Sequence, residues 1–180
     1  MSKKYELELS YSNPKFWYNR TLRTDSKEWK DLRQIILKRD NWTCSFCGIR
    51  LSKWLSVDHI DGDGSNNNLD NFRLNCQACD KIRHSGLAGL NGEIELGLSK
   101  LSQNEIVQRS HQFYIKNHRN PNMKEIDPSC ANIYPLNYIN PFQVAEEREL
   151  GEYYKKKYQH YKGFFTKAMD FSYLKFIIKD

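Results

Sequence analysis

The sequence predicts an α+β protein in which a small unit of sheet and helix is stapled by a metal and flanked by mainly helical segments. Three observations predict it. Two Cys-x-x-Cys pairs, Cys44/Cys47 and Cys76/Cys79, stand 28 residues apart. Two strand-like runs, residues 55–60 and 72–75, lie between the pairs and are divided by a loop-forming stretch. Apolar residues at helical spacing precede the first pair, and a further helical pattern follows the second.

The elements follow in order. Tyr5-Glu6-Leu7-Glu8-Leu9 alternates like a short strand, and Ser12-Asn13-Pro14 reads as a turn. A helix cap is available at Asp25 or Ser26, and Trp29, Leu32, Ile35 and Ile36 follow at helical spacing. Lys38 and Arg39 close this helix, expected over 27–39, at the end where cations suit the dipole. Cys44-Ser-Phe-Cys47-Gly48 has the form of a tight knuckle, its glycine able to take positive φ. Residues 61–68, Asp-Gly-Asp-Gly-Ser-Asn-Asn-Asn, are loop chemistry. A helix is expected over 77–85. Residues 86–104 read as a linker or loose connection, 105–118 as a helix, and 120–142, with four of the five prolines, as irregular. Residues 144–178 read as helical.

The composition is that of a folded chain, with 39% hydrophobic and 13% aromatic residues. No run approaches eighteen apolar residues, so no membrane span is expected, and the polar first ten residues point to a cytoplasmic protein. The net charge of +6 favours polyanionic partners. In a cytosolic chain, paired Cys-x-x-Cys runs indicate metal rather than disulfides. Cys44, Cys47, Cys76 and Cys79 supply the four soft ligands of a structural, tetrahedral Zn²⁺. Such a metal would replace burial that a unit this small lacks. Cys130 has no partner in sequence and reads as a buried thiol.

A second constellation lies between and just after the pairs. Asp58 and His59 are neighbours on a strand and point to opposite faces unless the backbone twists. Asp80 and His84 are four apart on a helix and can reach one cation, although Asp80 could instead cap that helix. The order helix, Cys-x-x-Cys-Gly, Val57-Asp58-His59-Ile60, Gly/Asn-rich loop, Asn71-Phe72, Cys-x-x-Cys resembles HNH (ββα-metal) endonucleases held by a four-cysteine zinc site. The resemblance covers residues 29–84. It implies that His59 is the general base, that Asn71 braces the loop and orients it, and that Asp58, Asp80 and His84 hold a catalytic Mg²⁺ or Mn²⁺. At Asp80 the family usually has His or Asn. Arg73, Lys81 and Arg83 lie close enough in sequence to contact flanking phosphates, or form a solvated surface.

Three segments are therefore expected: an N-terminal flank 1–28 with DNA contacts or a packing role, an HNH core 29–85, and a mainly helical region 86–180 for recognition or dimerisation. In the last, Tyr153, Tyr154, Tyr158, Tyr161, Phe164, Phe165 and Met169 recur among lysines, as a core or dimer face or as a DNA-contacting element. The main functional expectation is a metal-dependent endonuclease acting on double-stranded DNA, of restriction or homing type and possible as a homodimer. The alternative is a non-catalytic HNH-like zinc scaffold in a protein assembly such as a type IV secretion coupling complex, whose entry from Trp29 to Gly48 has a similar layout. A zinc-knuckle nucleic-acid binder without chemistry is a third reading.

Overall fold

The computed structural model describes residues 4–10, 20–135, 156 and 160–179. The fold is α+β, as its sequence predicts. Helix α1 (Lys27–Arg39) starts at Ser26, whose hydroxyl accepts the Trp29 N–H at 3.1 Å. Trp29 and Ile36 face the core and Leu32 packs against it, as the spacing predicts, whereas Ile35 is 50% exposed and Leu37 is buried in its stead. The first knuckle follows. Gly48, at φ +79°, lets its N–H return to the Cys44 carbonyl at 3.0 Å.

Strands β1 (Leu55–His59) and β2 (Phe72–Cys76) form an antiparallel pair in which Asp58 lies opposite Arg73 and His59 opposite Phe72. A short 3₁₀ turn, Leu69–Asn71, leads into β2. Helix α2 (Gln77–Arg83) starts directly from Cys76 and is followed by α3 (Ser85–Leu90). The second knuckle thus spans a strand end and a helix start, which fixes its two sulfurs on regular backbone.

Beyond this point the structure departs from expectation. Residues 86–104 are not a linker: they contain most of α3, and β3 (Ile94–Leu98), the central strand of a second sheet, which lies between β4 (Ala131–Pro135) and β5 (Tyr161–Phe165). Strand β4 (Ala131–Pro135) and a short α5 (Met123–Ile126) arise where irregular chain was expected. Residues 160–179 are not helical but hold β5 (Tyr161–Phe165) and a 3₁₀ turn, Ser172–Phe176. Among the described residues, 86–135 and 160–179 hold strands beside the expected helix α4 (Gln103–Asn117). The apolar residues there sit at spacings that a helix and a buried strand share, and periodicity cannot separate the two in short runs. Tyr153, Tyr154, Lys155, Lys157 and Tyr158 lie outside the described residues. Phe164, Phe165 and Met169 are buried. The 5–9 segment forms no sheet ladder: Tyr5 N–H donates to the Ser45 carbonyl and Leu7 N–H to the Asn104 side chain, both at 2.9 Å.

Helix α4 (Gln103–Asn117) begins with a capping box between Ser102 and Glu105. It packs on β5 and faces the first knuckle. The chain end is stitched to the segment after that knuckle, with Ser52 N–H to the Phe176 carbonyl at 2.9 Å and Ile178 N–H to the Arg50 carbonyl at 3.1 Å. One buried apolar cluster runs from Leu7 through the knuckles to Leu174. Close approach is needed where β5 crosses α2: a Cβ on Gly163 would lie 2.9 Å from the Ile82 side chain. Cys130 is buried, with its sulfur 3.0 Å from Met123 Sδ. No described helix is long and apolar enough to cross a membrane.

Candidate metal centre and the polar cluster beside it

The four cysteines of the two knuckles are reduced and buried, and their sulfurs all lie within 4.8 Å of one another. Cys47 Sγ and Cys76 Sγ are 3.6 Å apart. Four thiolates at ~2.3 Å from a tetrahedral zinc ion would stand about 3.8 Å apart, so the cluster fits the metal. The acid–base chemistry points the same way. Hydrogen bonding from the neighbouring thiols Cys44, Cys76 and Cys79 pulls the Cys47 thiol well down, while burial pushes Cys76 and Cys79 well up. Four buried sulfurs this close cannot all ionise without a cation among them. Cys44, Cys47, Cys76 and Cys79 can hold a metal ion such as zinc.

The other predicted site residues lie on β1, in the 3₁₀ turn before β2, on β2, and on α2 and its C-cap. Along β1, Leu55, Val57 and His59 are buried while Ser56 and Asp58 are half-buried, so Asp58 and His59 do take opposite faces. His59 packs over Phe72 at 4.6 Å between ring centroids. Burial holds its imidazole below the ordinary value, and its Nε2 is buried without a hydrogen-bond partner. Asn71 ties the preceding loop together: its amide donates to Asp61 Oδ1 at 2.9 Å and to the Asn66 carbonyl at 3.0 Å, and its oxygen accepts the Asp61 N–H at 3.2 Å.

Asp58 is occupied. Arg73, directly across the ladder, donates to Asp58 Oδ2 from Nε at 3.3 Å and from Nη2 at 3.2 Å, and Arg83 from α2 forms an ion pair with the same oxygen. Arg73 is itself buried, its guanidinium over the Phe46 ring at 4.8 Å and the Tyr5 ring at 5.2 Å. Burial lowers Arg83 to about 10, which leaves it cationic at neutral pH. Asp80 and His84 are brought together, His84 Nε2 lying 3.9 Å from Asp80 Oδ1. Burial raises Asp80 to about 6 and, with Arg83 nearby, lowers His84 to about 4. Lys81 is paired with Glu93 at 2.7 Å. Among the described residues, the cysteines are the group of three or more ligating side chains whose atoms converge; Asp58, Asp80 and His84 do not form another.

Two features escape sequence reasoning. The pairing of Asp58 with Arg73 depends on strand register, and that with Arg83 on how α2 crosses the sheet. The surroundings of the cysteines come from far along the chain. Asn104 donates to the Tyr5 and Phe46 carbonyls at 2.9 and 2.8 Å, Gln108 to the Cys47 carbonyl at 2.9 Å, and His111 is buried beside them. Their spacing of four and three residues along one helix face was the available signal.

No family model matches the chain. It is 28% identical over 146 residues to the type 4 apparatus protein DotN of Legionella pneumophila, a match covering 79% of this chain and 66% of DotN. It therefore spans just under two thirds of that relative's length. It is 35% identical over 71 residues to a probable HNH endonuclease of Lactococcus phage SK1, covering 35% of this chain and 69% of the phage protein. With that share of the phage relative matched and the four cysteines gathered into one cluster, the chain belongs to the HNH family.

Proposed function

We propose that this protein is a non-catalytic HNH-type zinc scaffold, a subunit of a protein assembly of the type IV secretion kind. The observation that carries the reading is the double arginine clasp on Asp58. A hard divalent cation at that carboxylate would have to displace two guanidinium groups fixed by their own packing, and would meet their charge on arrival. The clasp does for Asp58 what a catalytic metal would do in a nuclease: it neutralises the carboxylate. Support comes also from the likeness to DotN, which extends over 79% of the chain and so well beyond a knuckle-sized unit.

A second reading keeps the nuclease. It is favoured by the phage relative and by His59, a neutral imidazole with an unused nitrogen, as a general base requires. In that reading Asn71 braces the loop, Asp58, Asp80 and His84 hold Mg²⁺ or Mn²⁺, Arg73, Lys81 and Arg83 face phosphates, and double-stranded DNA is the substrate. Each of those three cations would first have to leave its present carboxylate partner.

The test has two arms. Zinc-loaded protein is incubated with supercoiled plasmid and with RNA in Mg²⁺, Mn²⁺ or EDTA, beside His59→Ala. No cleavage above the His59→Ala background is expected. Cation-dependent cutting that disappears in His59→Ala would overturn the scaffold reading. In parallel, tagged protein crosslinked in its native cells is expected to carry secretion-apparatus subunits, identified by mass spectrometry; recovery of nucleic acid alone would count against it.

A further inference from the structure

Trp54, just before β1, is the most exposed of the large apolar side chains described, at 56%. It stands at φ +67°, in the left-handed region that a residue with a Cβ enters only at a cost. Trp42 bears a similar strain, at φ +53°, and its ring packs against the buried core. Trp54 belongs to neither apolar cluster and packs against neither, among the described residues. Its strained backbone is therefore not offset by burial of the ring, and strain of that kind collects where a chain meets a ligand or a partner. The backbone on both sides is held in place. Ser52 N–H donates to the Phe176 carbonyl at 2.9 Å, Leu51 bridges Ile177, and Arg33 Nη2 donates to the Leu55 carbonyl at 2.8 Å. An aromatic side chain on so fixed a backbone loses little freedom when something binds it.

Positive charge gathers at the same ledge. Lys53 Nζ lies 5.3 Å from the centroid of the Phe176 ring, and Lys175 Nζ lies 5.2 Å from it. Both lysines are exposed, and neither has a carboxylate within ion-pair reach among the described residues. Lys27, Lys81 and Arg119, by contrast, each have one. Two ammoniums against one ring repel each other, and an anion brought between them relieves that repulsion.

We infer that Trp54, Lys53 and Lys175 form a docking point for an acidic segment of a partner protein, which lays an apolar side chain on the Trp54 ring and its carboxylates on the two lysines. An aromatic anchor beside a charged rim is the anatomy of a protein–protein hot spot. A nucleic-acid strand fits less well, because its backbone needs a run of cations to track along, and two lysines beside one ring do not make one. The inference deepens the scaffold reading and rests on it for the class of partner.

The experiment uses the full, zinc-loaded chain and three labelled probes followed by fluorescence anisotropy: a peptide in which glutamates flank one phenylalanine, the same peptide with glutamine for glutamate, and an oligothymidylate of equal length. The glutamate peptide is expected to bind tightest. Trp54→Gly removes the ring and relieves the backbone, so its melting temperature should equal or exceed that of the wild type, while the Kd for the glutamate peptide rises about tenfold or more. Lys53→Gln with Lys175→Gln should weaken the glutamate peptide by a similar factor and leave the glutamine peptide unchanged. A lower melting temperature in Trp54→Gly would mean that the ring serves the fold, and would overturn the inference. Equal peptide affinity in wild type and Trp54→Gly would do the same, as would tighter binding of the oligothymidylate than of the glutamate peptide. A dimer that dissociates in Trp54→Gly, read by sedimentation, would make a second copy the occupant and exclude the acidic partner. The two readings fail separately: plasmid cleavage by a protein that still binds the peptide through Trp54 counts against the scaffold alone, and absence of both cleavage and peptide binding counts against the docking point alone.

Discussion

Two clusters of metal-capable side chains share β2 and α2, one completed by the first knuckle and the other by β1, and the two are built on opposite principles. In the cysteine cluster four soft ligands converge on one point. In the Asp58 cluster the carboxylate is already answered by Arg73 and Arg83. The first gathers ligands that a metal ion can join; the second pairs its carboxylate with the protein's own cations. A motif fixes which residues stand near one another, but whether a charge is available or consumed depends on what the rest of the fold brings beside it.

The sharpest way to test the contrast is to remove one ligand from each cluster. Cys76→Ser should abolish cooperative folding, because binding free energies for structural zinc, on the order of 10 kcal/mol, equal or exceed the whole stability of a domain this size. Far-UV circular dichroism and zinc content are expected to fall together. Asp58→Asn should leave the buried Arg73 and half-buried Arg83 guanidiniums facing each other and cost about 3 kcal/mol, without loss of zinc. Equal damage from both changes would mean that the two clusters do not differ as described.

Arg83→Met asks whether the second cluster is a finished ion pair. Asp58 would keep Arg73, so the loss should be smaller, about 1–3 kcal/mol in urea denaturation. Combined with Asp58→Asn, the two changes should fall short of additivity by about 1 kcal/mol or more, since each removes the same contact. Were the cluster an incomplete cation site, Arg83→Met would cost nothing and would gain stability on adding Mn²⁺.

Much of this was legible from sequence where the signal is local. The knuckles, α1, β1, β2 and α2 each carry their own marks: paired cysteines, the Ser26 cap, alternation, and a loop of Asp, Gly and Asn. Cys44, Cys47, Cys76 and Cys79 follow from spacing alone. The second sheet was not legible, because β3 and β5 pair across more than sixty residues and their Gly97 and Gly163 look like linker glycine until the neighbouring strands are seen. The arginine clasp was hidden for a related reason. Arg73 and Arg83 read as surface cations, and only the register opposite Asp58 turns one of them into its partner. His111 showed no ligand spacing, and the fold buries it against Tyr173 and Phe171.

The smallest effect expected is one of pH, and it tests how deeply the polar cluster is sealed. His84 titrates near 6.5 in an unfolded chain and is lowered to about 4 here, first by burial and then by Arg83. Between those values the unfolded chain binds a proton that the folded one refuses. Stability therefore rises with pH across the window, is fully present above about 6.5, and is lost as pH falls toward 4. His59, lowered by burial as well, contributes with the same sign. Asp80 works against both, because burial raises it to about 6 and folding then favours its protonated form at low pH. The difference between wild type and His84→Gln isolates the one imidazole, and acid release of zinc is common to the two proteins. Urea midpoints measured from pH 4.5 to 7.5 should show the wild type losing on the order of 1–3 kcal/mol more than His84→Gln at the acid end. Parallel curves would mean that His84 is open to water and that the cluster beside Asp58 is hydrated, which would leave room there for an incoming cation.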